Sequence, residues 1–360
     1  MSLKPHFPEN GWERVQRTWS EWWAGELDRA LVVLECIEPQ NEASPHYAST
    51  FLGNYGLASS PEQLLDLFTP RLEATHWLGD AFPRFWPNFG PGIVAAFAGA
   101  NLHATQDTTW FSPSTDAEIS KLLVNLQADN PWWERVSSVT QAAVERWGDQ
   151  LSIGLTDLGG NLDILAHLRG TQQLLIDLMG SPEQVGRLVN ETHQLWMHCY
   201  QALVAKTCLG HGITCWGPCW SIGSGYMLQS DFAYMISPKM FERFVLPEIA
   251  ACCEAIDYGF YHLDGKGQIP HLDMLLTLPH LRGIQWVPGD GQPQAEYWPD
   301  LIQHIQRSGK LCQVFVSAQG ALRILRELGG KGLLLAINET LTPERGRALL
   351  EEIQRIDRSI

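Results

Sequence analysis

A histidine and an acidic residue follow a short apolar run in the segment YHLDGKGQIPHLD, residues 261–273. His262 and Asp264 are two positions apart, so on a β-strand both side chains leave the same face. The pair can supply two ligands of a metal ion, or His262 can act as a base that Asp264 orients. His271 and Asp273 come later, where the leucine spacing predicts the start of a helix, and we assign them structural roles.

Further carboxylates follow other apolar runs of the chain. If Asp157, Asp264 and Glu339 share one mouth at about 6 Å, each pair repels by about 2–3 kcal/mol at an effective dielectric of about 20. Such a cluster needs a metal ion, a cation such as Lys266 or Arg169, or a shared proton. Any of these three arrangements would indicate a functional site. The alternative is that the loops point the carboxylates into solvent.

Aromatic and polar residues near these positions are candidates for contacts with a substrate. The segment WLGDAFPRFWPNFGPG, residues 77–92, can fold over an open mouth, and tryptophans elsewhere can stack on a flat ligand. Asp231 opens a predicted helix and either caps it or faces the cavity. The predicted substrate-binding residues are Asp80, Arg84, Trp86, Trp216, Trp220, Lys266, Gln285 and Trp286.

Eight short apolar runs, most of them separated by helical stretches, must position these residues. They span 31–37, 92–99, 151–157, 212–218, 258–264, 281–287, 311–317 and 332–338. This alternation is typical of a parallel sheet, and eight strands close a (β/α)₈ TIM-type barrel whose active site lies at the carboxyl ends of the strands. We predict an α/β fold, one barrel domain over residues 1–360, with an N-terminal helical extension at 11–27. An open doubly wound sheet is the alternative, although no glycine-rich phosphate loop follows the first run.

Composition limits the classes of function. The chain has 360 residues and a net charge of −15, which opposes binding to nucleic acid. No apolar run of about 18 residues is present, and the first residues lack the apolar core of a signal peptide. We therefore expect a cytoplasmic protein that binds neither nucleic acid nor a membrane, with its eight cysteines mostly buried as thiols. The spacing in CWGPC, residues 215–219, is that of zinc ligands, but Cys215 lies in a predicted strand and is expected in the core.

Residues 231–249, DFAYMISPKMFERFVLPEI, resemble a helix-opening segment of the uroporphyrinogen decarboxylase superfamily. The matching positions are Ser237, Pro238, Phe241, Phe244 and Pro247. The similarity is loose and runs from about residue 12 to 355. It implies a (β/α)₈ barrel with a deep, open mouth.

The resemblance implies one of two activities. Decarboxylases of this superfamily need no cofactor and bind acidic tetrapyrroles through an arginine-rich segment, but residues 36–50 contain no arginine. Corrinoid- and thiol-dependent methyltransferases hold zinc with a His-x-Cys after strand five and a cysteine after strand eight. Here His262-Leu263-Asp264 and Asn338-Glu339 stand at those places. Exchange of sulfur for carboxylate gives a harder site, which is better suited to an oxygen ligand.

We therefore predict a metal-assisted enzyme that transfers a methyl or similar small group, linked to a corrinoid or a thiol, on a small-molecule substrate. His262, Asp264 and Glu339 are the predicted metal ligands, with zinc as the candidate metal, and Asp157 and Asp231 join His262 and Asp264 as catalytic residues. The first alternative is a cofactor-free decarboxylase of a uroporphyrinogen-type carboxylated ring compound. The second is a non-catalytic protein that binds a corrinoid or tetrapyrrole. The sequence leaves open whether the chain forms a homodimer.

Overall fold

The computed structural model of the chain describes residues 3–208 and 210–357. Within these ranges strands and helices alternate along most of the chain. The strands are β1 Leu31–Cys36, β2 His76–Gly79, β3 Arg84–Phe85, β4 Asn101–Ala104, β5 Thr109–Ser112, β6 Ser152–Ile153, β7 Ile213–Thr214, β8 Trp220–Ser221, β9 Gly225–Gln229, β10 Tyr258–Asp264, β11 Leu281–Val287, β12 Leu311–Val316 and β13 Leu333–Ile337.

Helices cover much of the chain between these strands. They are α1 Gly11–Trp23, α2 Pro61–Asp66, α3 Thr69–Ala74, α4 Val94–Phe97, α5 Pro131–Trp147, α6 Asn161–Arg169, α7 Thr171–Gly180, α8 Pro182–Thr207, α9 Pro238–Phe244, α10 Leu246–Ala255, α11 Leu272–Leu276, α12 Pro299–Arg307, α13 Ala318–Leu328 and α14 Pro343–Asp357. None of the helices in the described ranges combines the length and the apolar character needed to cross a bilayer.

The main sheet has seven strands in the order β2-β1-β13-β12-β11-β10-β9. All neighbours in it are parallel except β2 and β1. A second wall consists of β3 paired with β6, and a bridge from Gly154 to Thr214 joins this wall to β7. The fold is thus α/β with a mostly parallel central sheet. It is compatible with the predicted barrel, although the hydrogen bonds between described strands do not close a complete ring.

The predicted set of strands needs two corrections. The apolar run 92–99 contains the short helix α4, bounded by Gly92 and Gly99 with φ of +80° and +102°, and β3 takes the expected place in the wall instead. A run that is buried on all sides has no periodicity that distinguishes a strand from a helix. In addition β9, which the sequence analysis missed, pairs in parallel with β10. Asp231 follows β9 by two residues, so the position of this strand sets the position of Asp231.

The predicted N-terminal helix is present as α1 and packs near the amino ends of β10 and β11. Trp22 stacks on Phe260 with ring centroids 5.8 Å apart. The indole N–H of Trp23 donates to the carbonyl of Trp220 over 2.8 Å, and Arg282 donates to the carbonyl of Trp23 over 2.6 Å. The helix therefore covers the end of the sheet opposite the strands' carboxyl ends.

Candidate functional site

Asp231, His262 and Asp264 converge at the carboxyl ends of β9 and β10. One potential ligand atom from each side chain lies within 4.8 Å of the other two. The cause is the parallel register of the strands, because Gln229 pairs with His262, and Asp231 and Asp264 each follow two residues later. His262 and Asp264 are half-buried, while Asp231 is accessible to solvent. We call these three residues the carboxylate–histidine trio.

Two neighbours fix the orientation of the His262 ring. The Nδ1 atom of His262 lies 2.5 Å from Oε1 of Gln285, which is fully buried on β11 directly opposite His262. The Trp216 ring meets the imidazole edge-on, with centroids 4.9 Å apart and planes at 90°. Oε1 of Gln285 accepts a hydrogen bond from Nδ1 in the tautomer that carries its ring proton there, and in that tautomer Nε2 keeps its lone pair for a ligand. Burial lowers the pKa of His262, and the charge of Asp264 opposes that shift.

We expect Gln285→Met to weaken metal binding at the trio by about 10–100-fold, because residues that only orient a ligating histidine have effects of that size. The substitution keeps the volume in the core but removes the acceptor for Nδ1. Competition between the protein and a chromophoric chelator for Zn²⁺ measures the effect. Gln313→Met is the matched control, since Gln313 is also fully buried, on the adjacent β12, and bonds to Cys219 rather than to His262. Equal losses in both variants would contradict the orienting role of Gln285.

Asp157 lies behind the trio and contributes to the same negative field. Its carboxylate accepts the backbone N–H of Gly159 over 2.9 Å. Burial raises the pKa of Asp157 to about 7 against the effect of that bond, and the charges of Asp231 and Asp163 raise it further. Its carboxyl group therefore binds a proton much more readily than an ordinary aspartate does.

Asp163 holds the segment that carries Asp231, a role that the sequence analysis missed. The Asp163 carboxylate accepts the backbone N–H groups of Asp231 over 3.0 Å and of Phe232 over 2.7 Å. Burial and the Asp231 charge raise the pKa of Asp163 to about 7. Its only sequence signal is an acidic residue in the buried first turn of α6, and nothing local shows that this turn meets residue 231.

A larger cavity of about 840 Å³ lies over the carboxyl ends of β1 and β13. At its floor Glu35 accepts hydrogen bonds from Nε of Arg84 over 2.9 Å and from the Tyr47 hydroxyl over 3.0 Å, and the His46 ring lies 3.3 Å away. Nη1 of Arg84 is buried and has no partner among the described residues. Arg84 was predicted as a substrate contact and Glu35 was not, although Glu35 is the charged residue inside an otherwise apolar strand.

The large cavity and the trio are separate features of the same rim. Asp264 and Lys266 instead line a smaller cavity of about 230 Å³. The loop after β7 lies between the two regions, because Pro218 lines the large cavity while Trp216, two residues earlier, packs on His262.

Glu339 does not join the trio, so the structure corrects the predicted set of ligands. It is exposed at the rim of the large cavity, and its carboxylate accepts the backbone N–H of Ala318 over 3.3 Å. The strand order is the reason, because β13 is separated from β10 by β12 and β11. Arg169 is also not available to balance charge at the mouth, since it pairs with Asp177 over 2.6 Å.

Three residues predicted to bind substrate have structural positions instead. Asp80 is buried and accepts two hydrogen bonds from Arg29, at 2.7 and 2.8 Å. Trp220 is buried below the mouth, where its indole N–H donates to the carbonyl of His211 over 2.6 Å. Trp286 is fully buried against Trp298 outside the sheet, because side chains alternate along β11 and Gln285 takes the inner face.

The remaining predicted contacts lie nearer the mouth. Lys266 is exposed beside Asp264 in the smaller cavity. Trp86 is buried in the wall formed by β3 and β6, close to Gly154, and its indole N–H has no partner among the described residues. His271 is structural as predicted, since its ring stacks on Phe241 with centroids 4.4 Å apart.

Comparison with known proteins identifies the fold. No protein-family model and no curated protein sequence matches the chain. Among solved structures, the chain is similar to a methyltransferase from Methanosarcina mazei, with a TM-score of 0.62 and 13% sequence identity. The match covers 95% of this chain and 98% of that one. The chain therefore shares its overall fold, nearly end to end, with this methyltransferase.

Proposed function

We propose that this chain is an enzyme that transfers a methyl or similar small group, with a divalent metal ion held by Asp231, His262 and Asp264. The convergence of these three side chains at the strand ends is the observation that carries the proposal. The end-to-end similarity of fold to a methyltransferase supports it. Asp231 thereby takes the ligand position that the sequence analysis gave to Glu339.

The donors fit a divalent cation in number and kind. One imidazole and two carboxylates supply three ligands, which leaves an open position in a four-coordinate zinc site. Although Asp231 is accessible to solvent, the protein around it still desolvates its carboxylate. This burial and the nearby charge of Asp264 raise the pKa of Asp231 to about 6, so the charge of Asp264 opposes the ionisation of Asp231. A bound cation relieves this repulsion. When bound, such an ion supplies Lewis-acid activation of an oxygen ligand, for which nitrogen and carboxylate donors are suited.

The protein residues have separate tasks in this proposal. His262 presents Nε2 because Gln285 holds Nδ1, and Asp163 holds the backbone of Asp231 in place. Protonation of Asp157 near neutral pH limits the negative charge behind the trio. Trp216 packs edge-on against the imidazole, with the two ring planes at 90°, and holds the ring orientation. Together these contacts fix the geometry of the trio before a substrate arrives.

The large cavity is the proposed place for the body of the small-molecule substrate. Its volume of about 840 Å³ falls within the range of about 300–1,000 Å³ that small-molecule sites occupy. Arg84 lines this cavity and is the proposed cationic contact of the ligand. Its Nη1 has no hydrogen-bond partner among the described residues. A corrinoid or a thiol compound is the proposed methyl carrier, in line with the sequence resemblance.

Metal content tests the proposal. The purified wild-type protein, saturated with Zn²⁺ and dialysed, is expected to hold one more equivalent of zinc per chain than Asp264→Asn, as measured by elemental analysis. Asp273→Asn is the matched control, because this exposed carboxylate bonds to His304, far along the chain from the trio. Retention of the full zinc content in Asp264→Asn would defeat the metal-assisted function. A visible spectrum of the protein mixed with methylcobalamin and a thiol reports methyl transfer directly.

A further inference from the structure

A second group of metal-type donors lies between helices α8 and α10, outside the carboxylate–histidine trio. It consists of His193 on α8 and of Glu248 and Cys252 on α10, with one potential ligand atom from each within 4.8 Å of the others. We propose that these three residues bind a zinc ion. This inference does not depend on the proposed function, since none of the three lines the mouth cavities.

The two distances from the Cys252 sulfur are close to the edges of a zinc tetrahedron. The Cys252 sulfur lies 3.8 Å from Nδ1 of His193 and 3.8 Å from Oε1 of Glu248. Bond lengths of about 2.3 Å to sulfur and 2.0–2.1 Å to nitrogen or oxygen place two tetrahedral ligands about 3.5 Å apart. A contraction of a few tenths of an ångström therefore brings the Cys252 sulfur to ligand distance from both other donors, while the donor atoms of His193 and Glu248 lie within 4.8 Å of each other.

The secondary structure accounts for the convergence. Glu248 and Cys252 are four residues apart on α10, so they lie one above the other on the same face of that helix. That face packs against α8, which contributes His193 from a distant part of the sequence. Two of the three ligands thus come from one turn of a rigid helix. The sequence alone gives no hint of the third.

The surroundings of Glu248 favour the binding of a cation to its carboxylate. Glu248 is only 7% exposed. Within residues 3–208 and 210–357, the one hydrogen-bond partner of its carboxylate is the Cys252 thiol, which is a weak donor. A buried carboxylate without a strong partner is costly to a fold, and coordination of a metal offsets that cost. The negative charge of nearby Asp163 further favours a cation at this place.

The donor types indicate zinc and suggest what it does. Thiolate, imidazole and carboxylate form a mixed set that borderline-soft Zn²⁺ accepts, whereas Mg²⁺ and Ca²⁺ need oxygen ligands. His193 is half-buried, so the ion can enter from the solvent side and keep a water molecule as fourth ligand. The ion ties α8 to α10, and binding to the folded state alone raises the melting temperature.

Cobalt substitution tests this site separately from the trio. Chelator-stripped protein is titrated with Co²⁺, and the near-ultraviolet charge-transfer band of a cobalt–thiolate bond is recorded. The trio contains no sulfur, so this band reports only a site with a cysteine ligand. We expect the band in the wild type and in His262→Ala, and its loss in Cys252→Ser. Zn²⁺ affinity at this site should fall by more than about 100-fold in Cys252→Ser, beyond the effect of losing a residue that merely orients a ligand.

Cys253→Ser is the matched control. Cys253 is the next residue and is equally buried, but its sulfur faces Gly259 on β10 rather than His193. His193→Asn gives a second, half-buried position whose replacement should also remove the band, in case Cys252→Ser does not fold. Absence of the band in the wild type, or its persistence in a folded Cys252→Ser or His193→Asn protein, would overturn the proposal. In that case Glu248 is a protonated acid that accepts a hydrogen bond from the Cys252 thiol.

Discussion

Replacing His262 by alanine is expected to lower both methyl transfer and metal affinity at the trio by more than about 100-fold, while the fold is kept. His262 is the one nitrogen donor of the trio, and two carboxylates alone bind zinc weakly. Affinity is measured by competition with a chromophoric chelator for Zn²⁺ in a Cys252→Ser background, so that the second proposed site does not contribute. Transfer is measured from methylcobalamin to a thiol.

The exposed His280→Ala is the matched control for this experiment and should behave like the parent protein. Methyl transfer and metal affinity, measured together, distinguish a metal-ligand role of His262 from a role as a base. Loss of transfer with unchanged metal affinity would show that His262 acts as a base and not as a ligand. Unchanged values of both would show that the chemistry takes place elsewhere on the rim.

Replacing Arg84 by methionine is expected to reduce the free energy of unfolding by up to about 3 kcal/mol, because it leaves the half-buried Glu35 carboxylate without the cation that bonds to it. The two side chains are 9% and 19% exposed and bond over 2.9 Å. Urea unfolding measures the loss. Arg323→Met, at an exposed pair with Glu327, is the matched control and should cost less than about 1 kcal/mol. If the two substitutions cost the same, the Glu35–Arg84 pair is not a buried ion pair in solution.

The pH dependence of unfolding gives an independent check on this pair. Burial opposes the ionisation of Glu35, but Arg84 and His46 outweigh it and lower the pKa of Glu35 from 4.5 to about 2. Because the folded pKa lies below the unfolded one, the contribution of the pair is complete above about pH 4.5 and is lost as the pH falls toward 2. The shift corresponds to about 3 kcal/mol. A Glu35→Gln, Arg84→Met double variant should lack this part of the acid-dependent loss.

Local sequence patterns predicted the parts of the molecule that depend on near neighbours. The two-residue spacing placed His262 and Asp264 on the same side of β10, and α1 lies within the predicted amphipathic stretch. Alternation along β11 was available to the same reasoning, yet the sequence analysis assigned both Gln285 and Trp286 to the mouth. The structure places these adjacent residues on opposite sides of the sheet.

Other features depend on contacts between distant segments and could not be predicted from the sequence. Glu339 was expected beside His262 because both follow strands, but the order of strands puts β13 across the mouth from β10. The link from Asp163 to Asp231 spans 68 residues of the sequence. His193 meets Cys252 across 59 residues. Only the packing of helices and loops creates these pairs.

Zinc anomalous scattering from crystals of the wild-type protein grown with Zn²⁺ shows whether the trio holds a metal ion. We expect an anomalous peak at about 2.0–2.2 Å from Nε2 of His262 and from a carboxylate oxygen of Asp231 and of Asp264. Absence of a peak among these three side chains, in crystals grown at a pH where both carboxylates are ionised, would contradict the metal-assisted function.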